Sequence, residues 1–277
     1  MQHADFSWRS GSDQIKMYGQ VWTSIDEPKA VIALIHGMGE HSGRYRKFAE
    51  FFTSHGIAVM SFDQRGHGKT RSKKGHILHF NQLLEGVEEL IDRANLRFKN
   101  KPIILYGHSM GGNVALNYAL KKSNSIKAVI ATGPWLRLAF DPSAFQLKLA
   151  QIMKNLYPGF TQASGLKTSH LSRDPAIVKA YEKDKHVHDR ISASFFTNTY
   201  SAGLYALQHA NELKIPALIM HGGDDKITSY SASEEFVEKS NLVSEFKGWP
   251  ELYHEIHNEP EREDVLRYAL DWINSKL

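Results

Sequence analysis

Three short stretches of this sequence carry side chains that could do chemistry together. "GHSMG", Gly107 to Gly111, sets a serine between glycines, after the apolar "PIILY" and before "GNVALNYAL". "IMHGGDDKIT" ends an apolar run in two carboxylates, Asp224 and Asp225, and "WPELYHEIHNEP" carries two histidines, His254 and His257. A serine hydroxyl is a weak nucleophile until a base takes its proton, and an imidazole serves as that base when a carboxylate fixes its tautomer and stabilises its charge. Serine, acid and histidine in this chain order, each in a loop after a strand, are the parts of an acyl-transfer site. The residue types alone leave open which aspartate and which histidine take part.

The pattern G-x-S-x-G is informative here because of its surroundings. A nucleophile elbow holds its serine on a strained strand-to-helix turn, so the residues two before and two after must be very small; Gly107 and Gly111 meet that demand. The following helix N-terminus favours developing negative charge. A tetrahedral oxyanion needs two donors: the backbone N–H of Met110, directly after Ser109, and one from the loop that follows "AVIALIHG", where Gly37 and Gly39 leave the backbone accessible.

These loops require elements to position them. Alternation around Phe6 to Trp8 and Ile15 to Thr23 predicts antiparallel strands. "AVIALI", "IAVMSFD", "PIILYG", "IKAVIATG" and "ALIMHG" are short, nearly unbroken apolar runs, which is how strands buried on both faces look. Between them lie helical spacings: Tyr45, Phe48 and Phe52; Phe80 to Phe98; the stretch after Gly112; about Ser231 to Lys239; and a final helix with Pro260 in its first turn and Val265, Ala269, Trp272 and Ile273 on one face. Alternating strands and helices imply right-handed crossovers and an α/β fold with a mostly parallel sheet flanked by helices. The exception is Trp135 to about Ala210, helical without a buried strand. It is expected to be a helical cap, residues 135–210, inserted between core segments 1–134 and 211–277.

Composition narrows the partners. The chain has 277 residues, 42% of them hydrophobic, a formal charge of +4 and no cysteine. Basic residues occur in pairs rather than runs, which argues against nucleic acid, while a mildly basic surface suits acidic membrane surfaces. Without cysteine there are no disulfides, thiolate catalysis or cysteine metal sites. His186-x-His188 and His254-x-x-His257 have metal-like spacings, but 15 histidines produce such pairs by chance and no H-E-x-x-H accompanies them. "DQRGHGKT" lacks the G-x-x-x-x-G-K-[ST] spacing, so Asp63, Arg65 and His67 are expected to tie down a loop. No metal and no cofactor are expected. Neither a secretory leader nor a run of about 18 apolar residues is present, so the expected setting is cytoplasmic with peripheral membrane contact.

"HGMGEHSGRY", "FDQRGHGKT", "GHSMGG" and "YHEIHNEPE" together resemble the monoglyceride lipase and lysophospholipase group of α/β-hydrolases, and these blocks span nearly the whole chain. The resemblance implies an eight-stranded sheet, Ser109 as nucleophile, Asp225 as acid (the last residue of G-x-x-D) and His254 as base, with Met38 joining Met110 in the oxyanion hole. Asp224 and His257 become neighbours, His257 being expected at the surface. The resemblance also places Glu40, Arg44 and Tyr181 near the glycerol end of a substrate, although Arg44 could equally form a supporting ion pair with Glu40. "DKHVH" departs from the group's D-P-L-V-H in this cap. On the cap helix, Phe145, Leu149, Ile152, Met153 and Leu156 share a face opposed by Lys148, Gln151, Lys154 and Asn155. Such a face packs onto the body, lines an acyl tunnel or docks on a membrane. The expected activity is a serine ester hydrolase acting on monoacylglycerols. Lysophospholipase, thioesterase or broad carboxylesterase activity on the same triad is the alternative, since a triad sets the mechanism and not the leaving group. Dehalogenase and epoxide hydrolase chemistry need an aspartate where Ser109 stands, and a binding module on this fold would not need every component kept.

Overall fold

A computed structural model describes residues 1–122, 125–241 and 243–277. Strands β1 (Gln2–Arg9) and β2 (Lys16–Thr23) form an antiparallel pair. Then β3 (Ala30–Ile35), α1 (Arg46–Ser54), β4 (Ile57–Asp63), α2 (Asn81–Arg97), β5 (Ile103–His108), α3 (Met110–Lys121) and β6 (Ala128–Thr132) follow. After the inserted segment come β9 (Ala217–Gly222), α7 (Tyr230–Lys239), β10 (Ser244–Trp249) and α8 (Arg262–Lys276). The eight strands order as β1-β2-β4-β3-β5-β6-β9-β10. All pairings from β4 to β10 are parallel, and β2 joins β4 antiparallel.

The apolar runs explain this sheet. Alternate residues of β3 serve opposite layers: Val31, Ala33 and Ile35 join the core with Val87 and Ile91 of α2 and Val114 of α3, while Ile32 and Leu34 join Phe48 and Phe52 of α1 and Val265, Ala269 and Ile273 of α8. Every residue of β3, β4, β5, β6 and β9 is buried, hence the unbroken hydrophobicity. Each such Val, Ile or Leu contributes about 1.5 to 3 kcal/mol through removal from water.

The segment between β6 and β9 holds α4 (Ala144–Leu156), β7 (Thr161–Ala163), α5 (Pro175–Lys183), β8 (Arg190–Ser192) and α6 (Ala193–Gln208). Its β7 and β8 pair as a small antiparallel ribbon of three residues each, too short to leave an alternating trace in the sequence. α6 is anchored to the core through α3. The Asn113 side chain donates to the carbonyls of Trp135 (2.7 Å) and Thr199 (2.9 Å), and that of Asn117 to Ala202 (3.0 Å). Pro260 lies just ahead of α8, whose first helical residue is Arg262. No helix among the described residues is long and apolar enough to cross a membrane.

Candidate active site

The elbow is built by exclusion. Ser109, between β5 and α3, has φ 55° and ψ −118°, a conformation that costs an L-residue about 1 to 3 kcal/mol. Its backbone is held by Ser109 N–H donating to Thr132 O (2.9 Å) and Trp135 N–H donating to Ser109 O (3.0 Å). A Cβ at Gly107 would lie 2.2 Å from the Gly111 carbonyl oxygen, and one at Gly111 would lie 2.1 Å from that of Ile35. Any side chain at either place would force the turn apart. The Ser109 side chain is thereby presented to a cavity of about 610 Å³.

His254 lines the same cavity from the loop after β10, and its Nδ1 donates to Asp225 Oδ2 at 2.7 Å from the loop after β9. Burial by itself would lower the His254 pKa, but the charge and hydrogen bond of Asp225 outweigh it and hold the imidazole above the ordinary histidine value. Asp225 is buried, which alone would raise its pKa; His254 and His221 bring it well below the usual carboxylate range. Asp224 next door is exposed, and its backbone N–H donates to Leu252 O (3.1 Å).

His257 differs from the surface residue expected of it. The 3₁₀ turn Ile256–Asn258 tucks it inside, 3% exposed, stacked on Tyr45 (ring centroids 5.0 Å) and edge-on to His108 (4.7 Å). His254, His108 and His257 thus form a run of imidazoles, with His108 4.7 Å from His254. Only His254 has a carboxylate hydrogen-bonded to its ring. Burial dominates His257 and lowers its pKa to about 4, and burial takes His108 well below the ordinary value. Of the three, His254 alone is held above the ordinary histidine value.

Across the cavity, the "HGMG" loop is shaped by Glu40. Its carboxylate accepts from the Gly37 N–H (2.6 Å), the Tyr45 hydroxyl (2.7 Å) and Arg44 (2.6 Å). Gly39, at φ +79°, accepts from the His188 N–H (2.9 Å), and a Cβ there would lie 2.4 Å from the His188 carbonyl. Among the described residues, neither the Met38 nor the Met110 amide is drawn into a loop or turn hydrogen bond. Arg44 does not line the cavity; it bridges Glu40 and, in a two-pronged contact of 2.6 and 2.7 Å, Glu255, and its guanidinium lies 4.7 Å from the Tyr181 ring centroid. Burial would lower Glu255's tendency to ionise, but Arg44 overrides it and keeps the carboxyl below its usual range. Glu40, Glu255 and Tyr181 all reach the cavity wall.

Trp135, Leu138, Leu149, Met153 and Phe196 give the wall an apolar stretch, and Lys167, His170 and Lys226 give it a basic edge. On α4 the inward positions are Gln146, Leu149, Ala150 and Met153, one stripe at helical spacing. Phe145 and Ile152 fall outside it, 75% and 45% exposed, and no residue of α4 is buried. The helix therefore does not pack its apolar face onto the body. Asp63, by contrast, ties loops as expected, accepting from the Ser42 amide and hydroxyl (2.9 and 2.5 Å) and the Lys69 amide (2.7 Å). Sequence reading missed His221, Thr228 and Glu255: the first two donate to Asp225, and the "HGGDDKIT" context was their only signal.

The family model described as serine aminopeptidase, S33, matches residues 26–261. The chain belongs to this family. All three chemistry-bearing stretches fall within the S33 match, and the sheet and elbow are those of an α/β-hydrolase. The monoacylglycerol lipase of Mycolicibacterium smegmatis is 32% identical over 97% of this chain and 96% of its own length. An uncharacterized abhydrolase domain-containing protein of Dictyostelium discoideum is 34% identical over 96% of this chain, which spans 28% of that longer protein. Among solved structures, the monoacylglycerol lipase of Paleococcus ferrophilus superposes with a TM-score of 0.87 at 30% identity, covering 94% of this chain and 99% of its own.

Proposed function

We propose that this S33 member is a monoacylglycerol lipase that releases fatty acid and glycerol through an acyl-enzyme. The observation that carries the reading is the Asp225–His254 pair at 2.7 Å, opening with strained Ser109 onto one largely apolar cavity. Ser109 Oγ attacks the ester carbonyl while His254 takes its proton, and Asp225 stabilises the imidazolium. The oxyanion is received by the amides of Met38 and Met110, each such donor being worth about 3 to 4 kcal/mol in the transition state. His254 then gives its proton to the departing glycerol oxygen. A water activated by the same histidine hydrolyses the acyl-enzyme, restoring Ser109.

The acyl chain fits along Trp135, Leu149, Met153 and Phe196, and the glycerol hydroxyls meet the Glu40, Glu255 and Tyr181 end, with Arg44 acting from behind as their counter-charge. Residues 135–210 act as a lid on the core formed by 1–134 and 211–277. The outward face of α4, with Phe145, Ile152 and Leu156 exposed beside Lys148, is suited to peripheral contact with an anionic membrane by a cytoplasmic protein.

A lysophospholipase reading is favoured by one feature. Lys167, Lys226 and His170 line the same cavity, and neither lysine has an ion-pair partner among the described residues. Such a cationic edge would receive a phosphate on the leaving group. A panel of monoacylglycerols of several chain lengths, lysophosphatidylcholine and p-nitrophenyl esters, with Ser109→Ala as the blank, tests both. Preference for monoacylglycerol supports the first reading; preference for the lysophospholipid replaces it with the second.

A further inference from the structure

Asp225 is more heavily served by donors than orienting one imidazole requires. Oδ1 accepts from the amides of Ile227 (2.7 Å) and Thr228 (3.1 Å). Oδ2 faces His254 Nδ1 (2.7 Å), His221 Nε2 (3.0 Å) and the Thr228 hydroxyl (2.8 Å). His221 itself is fully buried at the end of β9 and its Nδ1 is 2.7 Å from Ser233 Oγ on α7. A carboxylate only accepts, so His221 Nε2 carries a proton. In the neutral ring Nδ1 is then an acceptor, and the Ser233 hydroxyl donates to it.

We propose that His221, oriented by Ser233, is a positioning residue that sets the basicity of His254 through Asp225, extending the Ser109–His254–Asp225 set by two members. The inference rests on the catalytic assignment above. Two imidazoles share one carboxylate oxygen, so the charge that Oδ2 spends on His221 is not available to His254. Without His221 the Oδ2 charge would fall on the imidazolium, overstabilise it and slow its return of the proton to the leaving group. The arrangement also stops the carboxylate from turning: with β9 on one side and the Ile227–Thr228 amides on the other, Oδ2 has a single orientation. Thr228 is pinned in turn, since Ala139 N–H donates to Ile227 O (3.0 Å), Ser229 N–H to Arg137 O (3.0 Å), and the Thr228 hydroxyl lies 3.0 Å from Gly133 O.

Other charged or titratable groups act on this pair. His254 is faced by His108 and influenced by Glu255 and Glu40, while the His221 ring is met edge-on by Tyr230 (5.6 Å). Lys226 and His170 line the cavity and Asp225 acts on His170, while Arg44 and His257 act on His108. Of these, Tyr230 meets the His221 ring directly, so His221→Gln and Ser233→Ala separate loss of the Asp225 contact from loss of that packing.

The test is the pH profile of kcat/KM on a soluble short-chain p-nitrophenyl ester for the full chain and for His221→Leu, His221→Gln and Ser233→Ala, with thermal melting as a check on folding. In His221→Leu the acid limb is expected to move up by about half a unit to one unit, one charge-assisted hydrogen bond being redistributed, with a roughly tenfold lower kcat. His221→Gln, whose amide both donates to Asp225 and accepts from Ser233, should bring the limb back, and Ser233→Ala should shift it in the same direction as Leu but less. A limb that stays in place in a folded His221→Leu, or an equal loss in Gln and Leu, overturns the proposal. Asp225→Ala serves as the separate control: if that variant remains active, the catalytic assignment itself fails, whereas an unmoved His221→Leu limb beside an inactive Asp225→Ala removes only the present inference.

Discussion

The acid loop after β9 and the cap helix α4 stand at opposite extremes of the molecule. Around Asp225, two backbone amides, two imidazoles and a hydroxyl all meet one buried carboxylate. On α4, thirteen residues pass without one being buried, and Phe145 and Leu156 are 75% and 65% exposed. A buried charge is tolerated only where every lone pair has a donor, so the first region is over-determined and unable to move cheaply. The second rests on α6, where Lys154 Nζ donates to Asn198 Oδ1 (3.1 Å), and keeps every one of its residues in reach of solvent. The difference is one of constraint: the Asp225 loop fixes a single carboxylate from five donors, while α4 lends the cavity only Gln146, Leu149, Ala150 and Met153.

This contrast can be broken from its rigid end first. Ser109→Ala is expected to lower kcat on p-nitrophenyl butyrate by about 10⁶-fold with an unchanged melting temperature, since a missing nucleophile removes the covalent route altogether. Asp225→Asn should cost about 10⁴-fold, because the amide favours the wrong His254 tautomer while leaving the shape intact. Steady-state kinetics read both. Gly111→Ala should fail to fold stably, its Cβ meeting the Ile35 carbonyl at 2.1 Å, and soluble expression with thermal melting would reveal this.

The exposed end should respond quite differently. Phe145→Asp with Ile152→Asp is expected to reduce co-sedimentation with anionic vesicles by about tenfold while hydrolysis of a soluble ester stays within twofold, since neither side chain lines the cavity. The smallest effect is a titration. His254 has its pKa raised by Asp225, so the active neutral imidazole is lost on acidification at a pH above the ordinary histidine value of about 6.5. The acid limb of kcat/KM should therefore fall there, with activity present above it.

Much of the rigid half could be read from sequence. "AVIALI" and "IAVMSFD" announce doubly covered strands because burial on both faces leaves no polar position, and the elbow is legible because its constraint is local, between Gly107 and Gly111. His257 is not legible in this way, because its burial comes from Tyr45 and His108, distant in the chain and invisible to spacing. His221 escaped notice for a related reason: inside an apolar strand it looks like a core residue, and only the fold turns its Nε2 toward Asp225. On α4, amphipathicity gave a face without naming what covers it. The cavity takes the stripe from Gln146 to Met153 and leaves Phe145 and Ile152 outside.

The central claim is that Ser109 becomes covalently acylated with His254 as its base, and active-site labelling tests it most directly. Incubation with a fluorophosphonate, proteolysis and mass spectrometry should locate one adduct on the peptide containing Ser109, with labelling slowed at least a hundredfold in His254→Ala and undiminished in His257→Ala. An adduct on another residue, or equal labelling in the His254 variant, would contradict the account.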